Sequence, residues 1–246
     1  MEKGKYNFKL YCGIKMNWNE ENIQKIEWNG EITNYNDKLE VAKKIAMRVK
    51  DGEVIGIGSG STSFLATKEI AKRVRKEKLN IVGIPTSYEI SLLCNELDIK
   101  TASILDMKPD WCYDGADEVN DKKWLIKGRG GAMFREKLNI ASSKVTYILV
   151  DKSKFVDSIC DKFPIPVEVT PNAINYVRQV LFEMGAESVI LRLAKGKDGP
   201  IITESGNIIL DVVFRNVDET LEKRLKNIVG VIETGLFIGY NVIIEN

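Results

Sequence analysis

The chain has 246 residues with 36 Lys+Arg against 35 Asp+Glu, a formal charge of +1 that excludes the basic excess of a nucleic-acid-coating surface, and its 44% hydrophobic and 29% charged residues suit a soluble protein with a sizeable core. It has no histidine, which excludes Ser-His-Asp and Cys-His nucleophiles and imidazole-bound zinc, while its four dispersed cysteines (Cys12, Cys94, Cys112, Cys160) argue against a zinc site or disulfide framework and for a reducing cytoplasm. No apolar run approaches the ~20 residues of a membrane span, and Met1-Glu2-Lys3-Gly4-Lys5 leads into no apolar segment, so neither a transmembrane helix nor a secretory signal is expected.

Residues 1–36 sustain neither helical nor strand periodicity, and Trp18-Asn19 is loosely echoed by Trp28-Asn29. They read as an appended segment of unknown role whose Trp and Tyr side chains pack on the body. From Asp37 the pattern is regular: Leu39, Ala42, Ile45, Ala46 and Val49 recur at helical spacing, and Asp51-Gly52 ends the run. Strand 54–57 follows, then the turn Gly58-Ser59-Gly60-Ser61-Thr62 and a helix with Phe64, Thr67, Ile70, Ala71 and Val74 on one face. Strand 81–84, helix 89–97, strands near 101–104, 111–113 and 124–126, helix 134–141 and strand 145–150 continue the alternation. Short apolar strands alternating with amphipathic helices predict an α/β fold, a Rossmann-like, mostly parallel sheet covered on both faces.

After Phe163-Pro164-Ile165-Pro166 the order changes. Strand 167–169, helix 172–184, strands 188–193, 201–202 and 207–213, helix 220–226 and strand 231–234 approach β-α-β-β-α-β, a smaller α+β (ferredoxin-like) domain. Strand 241–245 is expected to return to the first sheet. The expected division is therefore an extension at 1–36, a catalytic domain at 37–160 with 238–246, and an α+β domain at 161–237.

Four clusters could carry chemistry. Gly58-Ser59-Gly60-Ser61-Thr62, between a strand and a helix, offers free N–H groups, a helix dipole and hydroxyls to an anion. It lacks the Lys of a P-loop and the third glycine of a dinucleotide fingerprint, which leaves a phosphate outside a dinucleotide or an ordinary Ser-capped turn. Asp114-Gly115-Ala116-Asp117-Glu118 places three carboxylates after a strand, for ligand hydroxyls or magnesium, or as a solvated acidic turn. Lys127-Gly128-Arg129-Gly130-Gly131 with Arg135-Glu136-Lys137 supplies a cation, backbone donors and a base; alone, the second run reads as a solvated helix face. Asp151-Lys152-Ser153-Lys154 could reach a phosphate or be a charged turn. All four follow strands expected in one parallel sheet, which would gather them on its carboxyl edge.

In order and spacing these motifs, extended by Phe163-Pro164-Ile165-Pro166-Val167-Glu168-Val169 and Gly235-Leu236-Phe237, resemble the ribose-5-phosphate isomerase A family over roughly residues 37–246. The resemblance implies an isomerase of pentose 5-phosphates that needs neither metal nor organic cofactor and assembles as a homodimer or homotetramer, with no nucleic-acid or membrane partner. It places the general base at Glu136, further catalytic positions that also contact substrate at Asp114, Asp117 and Lys127, and other substrate contacts at Lys38, Ser59, Gly60, Ser61, Thr62, Gly115, Ala116, Gly128, Arg129, Gly130 and Lys154. Arg129 departs from the glycine that many members carry there. Sugar-phosphate deaminases and CoA transferases on related folds are the rival enzymes; lack of histidine weighs against the deaminases. A sugar-phosphate sensor without catalysis is the rival outside enzymes.

Overall fold

The structure, a computed structural model, describes residues 26–246, so Cys12 and Trp18 lie outside the described residues. Helix α1 (Tyr35–Ala46) starts two residues before Asp37, where Asn34 at φ 52° turns the chain into it. It buries Val41, Ala42, Ile45 and Ala46. Strand β1 (Val54–Ile57) is buried throughout, and α2 (Ser61–Glu77) buries the expected Phe64, Thr67, Ile70 and Ala71. Then come β2 (Val82–Pro85), α3 (Tyr88–Glu96), β3 (Lys100–Thr101), β4 (Trp111–Gly115), β5 (Glu118–Val119) and β6 (Leu125–Ile126). Helix α4 (Met133–Ser142) and β7 (Thr146–Leu149) follow. The remainder is β8 (Ile165–Val169), α5 (Ile174–Glu183), β9 (Ser188–Leu191), β10 (Ile208–Val213), α6 (Leu221–Lys226), β11 (Val231–Thr234), β12 (Leu236–Phe237) and β13 (Val242–Glu245).

Six strands form a parallel sheet in the order β13-β7-β4-β1-β2-β3. The chain runs outward from β1 through β2 to β3 and resumes on the other side of β1 at β4. The order therefore reverses between β1 and β4, where α/β sheets open a ligand crevice at their carboxyl ends. The expected C-terminal return is observed, with β13 pairing in parallel with β7. A separate antiparallel sheet, β11-β8-β10-β9, carries the expected β-α-β-β-α-β order. Its core is Val167, Val169, Leu181, Leu210, Val212 and Leu225, whereas Ile45, Ile55, Ile57, Phe64, Ile70 and Tyr113 fill the space beside the parallel sheet.

Three expectations are corrected. Residues 201–202 form no strand: the chain there turns through Asp198-Gly199-Pro200, leaving a single bridge between Leu193 and Pro200. The helix expected over 172–184 opens as a 3₁₀ turn at Pro171–Ala173 and becomes α-helical only at Ile174. Strand 124–126 does not join the parallel sheet; β6 lies between β12 and β5 in a small antiparallel sheet. Among the described residues no helix is long and apolar enough to cross a membrane.

Helix α4 ties the sheets together through charges that the local sequence suggested were solvated. Glu136 and Lys137 are both buried. Lys137 Nζ lies 2.6 Å from Glu222 Oε1 and 3.0 Å from Glu233 Oε1, and donates to Leu236 O at 2.8 Å. Burial alone would raise the Glu233 carboxyl, but Lys137 and the Thr234 N–H hold it below its ordinary value. Lys137→Met should lower unfolding stability by ~3 kcal/mol, because it strands buried carboxylates without their cation. Urea denaturation measures this, and an unchanged midpoint contradicts it.

Candidate active site

The crevice is built first from close packing. Gly58 donates its N–H to Tyr113 O at 2.8 Å. A Cβ at Gly58 would lie 2.3 Å from Asp114 Cγ, so only glycine lets the two strand ends approach. Ser59 then donates its N–H to Asp114 Oδ1 at 3.2 Å, and its hydroxyl contacts those of Thr86 and Ser87 at 2.8 Å. Gly60, at φ 94°, opens α2. The first-turn N–H groups of α2 have no partner within the helix, and with the helix dipole they form an anion-attracting end.

Two lysines flank that end. Lys38 Nζ donates to Ser61 Oγ at 3.1 Å and Thr33 Oγ1 at 3.4 Å, and lies 3.9 Å from Asp151 Oδ2. Burial, and then Lys154, lower the Lys38 amine from its ordinary value, with Asp151 opposing. Lys154 ends a 3₁₀ turn after β7 in which Asp151 accepts the Ser153 N–H. Arg129 and Lys154 share the Phe163 ring, 5.3 Å and 5.5 Å from its centroid. Arg129 thus adds a cation beside Lys154.

The second half of the site is a buried charge cluster. Lys127 Nζ lies 2.8 Å from Asp114 Oδ2 and 3.2 Å from Glu136 Oε2, and donates to Gly115 O at 2.6 Å. The carboxylate contacts are charge contacts, for neither oxygen accepts a well-directed hydrogen bond. Burial pushes Glu136 up to about 8, with Lys127 opposing and Asp114 reinforcing. Burial likewise raises Asp114 against the pull of Lys127. For Lys127 burial acts downward, but Asp114 and Glu136 outweigh it and keep the amine charged.

These groups surround a cavity of about 450 Å³. Of the residues nominated by the sequence, Lys38, 59–62, 115–117, 127–130, Glu136 and Lys154 line it. Asp114 does not. Expected as a substrate contact, it stands behind the wall with its oxygens on Ser59 N, Gly115 N and Lys127. Nor do the three carboxylates face one point. Glu118 turns away to accept the N–H groups of Cys160, Lys162 and Phe163. Convergence also has a different origin from the one expected, since Lys127 leaves a strand of the small antiparallel sheet.

Several wall residues were not anticipated. Trp28, Glu31 and Thr33 come from the segment before α1, which is seated by Ile26, Trp28 and Ile32 on the core and by Trp28 against Phe64, 5.6 Å between ring centroids. The expectation that this segment packs an aromatic residue on the body holds for Trp28. Glu204 arrives from the loop before β10: its carboxylate accepts the Tyr88 N–H at 3.1 Å and lies 3.3 Å from Arg135 Nη1. Trp28-Asn29 was visible as a repeat; Glu204 carried no signal.

A parallel sheet whose switch point gathers a helix N-terminus, two lysines and a buried carboxylate–ammonium pair around one cavity is the architecture of an α/β protein with a small-molecule cleft. The family model of ribose 5-phosphate isomerase A (phosphoriboisomerase A) matches residues 82–245. Ribose-5-phosphate isomerase A of Methanocaldococcus jannaschii is 46% identical over 209 residues, 84% of this chain and 92% of that protein. The Methanothermobacter thermautotrophicus protein of the same name is 42% identical, covering 83% and 90%. A solved structure of the M. jannaschii protein superposes with a TM-score of 0.84 at 42% identity, over 87% of this chain and 96% of that one. A D-ribose-5-phosphate isomerase solved in complex with phospho-erythronic acid gives 0.83 at 38% identity, over the same shares. The chain belongs to the ribose-5-phosphate isomerase A family.

Proposed function

We propose that this chain interconverts D-ribose 5-phosphate and D-ribulose 5-phosphate through an enediolate, with Glu136 as the base. The observation that carries this reading is the pairing, in one cavity, of a buried carboxylate 3.2 Å from a buried ammonium with a helix N-terminus flanked by Lys38 and Lys154. Base, oxyanion partner and phosphate site are thus within reach of one small sugar phosphate.

Ribose 5-phosphate is mostly a closed ring and must first open; in this reading Asp117, one of the wall carboxylates, moves the hydroxyl proton. Glu136 then takes the proton from C2. The electron pair of that bond forms the C1–C2 double bond, and the C1 carbonyl oxygen becomes an alkoxide. Lys127 and the N–H groups of the 128–130 loop stabilise that charge, the electrostatic role that is usually the largest catalytic term. Glu136 returns its proton to C1, the C2 hydroxyl becomes the carbonyl, and its proton passes to O1. Asp114 acts through Lys127, whose amine it orients. The phosphate at 59–62, Lys38 and Lys154 holds the reacting carbons in register. In this reading 37–160 with 238–246 is the catalytic domain, and 161–237 closes the cleft through Glu204.

Adding ribose 5-phosphate to the purified full chain and following ribulose 5-phosphate tests the reading. Turnover is expected, and binding without turnover would instead support the sensor. Lys154→Ala should raise KM about 10-fold and leave kcat within about 3-fold, since a phosphate contact made equally in ground and transition states affects binding alone. A drop confined to kcat removes Lys154 from the phosphate.

A further inference from the structure

We propose that Arg192, on the antiparallel sheet and outside the cavity, is a positioning residue for the reaction, holding the glycine-rich loop so that the N–H groups of Arg129 and Gly130 face the oxygen that becomes charged. This rests on the isomerase reading above and adds to it a residue from the other sheet.

Arg192 follows β9. Its Nε donates to Asp211 Oδ2 on β10 at 2.8 Å, and its Nη2 pairs with Asp211 Oδ1. That two-point fork fixes the plane of the guanidinium. The remaining nitrogen, Nη1, donates to Arg129 O at 2.7 Å and Gly128 O at 3.1 Å. The same Gly128 O accepts the Gly131 N–H at 3.0 Å, closing a turn. Gly128 and Gly131 sit at φ 86° and 87°, and Gly130 has no side chain, so the loop has little of its own to fix its peptide planes. Arg192 supplies that constraint.

Peptide planarity carries the effect across. In a trans peptide the carbonyl of one residue and the N–H of the next point in opposite directions. Drawing the carbonyls of Gly128 and Arg129 toward Arg192 therefore turns the N–H groups of Arg129 and Gly130 away from it. Neither N–H has an acceptor among the described residues. Residues 128–130 line the cavity and Arg192 does not, so the free donors are on the cavity side. They stand in the same wall as Lys127. The donors matter when the oxygen acquires charge, and Arg192 should influence the transition state far more than phosphate binding.

The test measures kcat and inhibition by two probes: inorganic phosphate, and phospho-erythronic acid, whose carboxylate resembles the planar, charged enediolate. Arg192→Met should lower kcat about 100-fold, the scale of a lost or misaimed oxyanion donor. It should weaken phospho-erythronic acid about 10-fold or more and leave inorganic phosphate within about 2-fold. Arg192→Lys keeps the charge and most of the volume but loses the fork, so kcat should fall about 10-fold or more at an unchanged unfolding midpoint. Should the Met variant not fold, the Lys variant decides. Wild-type kcat in a folded variant overturns the proposal, as does equal weakening of both probes. Absence of turnover in the unsubstituted chain would instead overturn the isomerase reading.

Discussion

Glu136→Gln is expected to lower kcat about 100-fold or more while KM changes less than about 3-fold. Glutamine keeps the volume of a buried side chain and leaves Lys127 its contact with Asp114, 2.8 Å away, so the cluster keeps one cation and one carboxylate. What disappears is the group proposed to accept the C2 proton. The pH profile gives the same residue a second signature. Burial pushes Glu136 up to about 8, and the proposed base is its deprotonated form. Below that value kcat/KM should rise about tenfold per pH unit and then level off. The residual activity of the glutamine variant should lose this rising limb. Near-normal turnover in Glu136→Gln, or a wild-type profile flat from pH 6 to 9, contradicts the assignment.

Lys127→Met should be more damaging. It removes the ammonium that lies within 3.2 Å of both Asp114 and Glu136, and with it the cation proposed to face the developing alkoxide. A kcat loss of about 1,000-fold follows from losing one preorganised charge in a water-poor site. Stability should fall by ~3–5 kcal/mol, the usual consequence of stranding buried charge. The sign of the pH dependence distinguishes this cause from poor packing. Burial already raises both carboxyls, and without Lys127 they rise further. A carboxyl whose folded value lies above its unfolded value contributes stability at low pH and loses it as pH rises through the folded value. The urea midpoint of the variant should therefore drop between pH 5 and 9 more steeply than that of the wild type. A parallel displacement at every pH would point to packing alone.

The legible parts of the fold were those where one segment settles its own structure. Val54-Ile55-Gly56-Ile57, bracketed by Gly52 and Gly58, reads as a buried strand in any context, and β1 matches it residue for residue. The apolar stripe of α2 and the β-α-β-β-α-β order are of the same kind. Strands of two residues, β5 and β12, are too short for periodicity to register, and β6, expected at 124–126, gave no sign of which sheet it joins. Their pairing nevertheless brings Lys127 to the cleft, from a different sheet than the one expected.

The site divides similarly. Residues in compact motifs, such as Ser59 to Thr62 and Glu136, were nominated and lie on the cavity wall. Motif membership did not tell which carboxylate faces inward: Asp117 lines the cavity, Asp114 sits behind it, and Glu118 secures the 160–163 backbone. That choice depends on which backbone N–H groups are nearby in space. Glu204 and Arg192 come from segments with no motif, and only tertiary packing relates them, and Trp28, to the cleft.

The central claim, that a carboxylate carries a proton between C2 and C1, is tested most directly in heavy water. Unlabelled ribose 5-phosphate is converted, and ribulose 5-phosphate is analysed at C1 by NMR at low conversion. Transfer through Glu136 predicts deuterium at C1, because a proton held on a carboxylate can exchange with solvent before it is returned. Its rate of appearance should fall with kcat in Glu136→Gln. Product with no deuterium at C1, formed at an undiminished rate by the glutamine variant, would mean that hydrogen passes directly between the carbons, and would contradict the account.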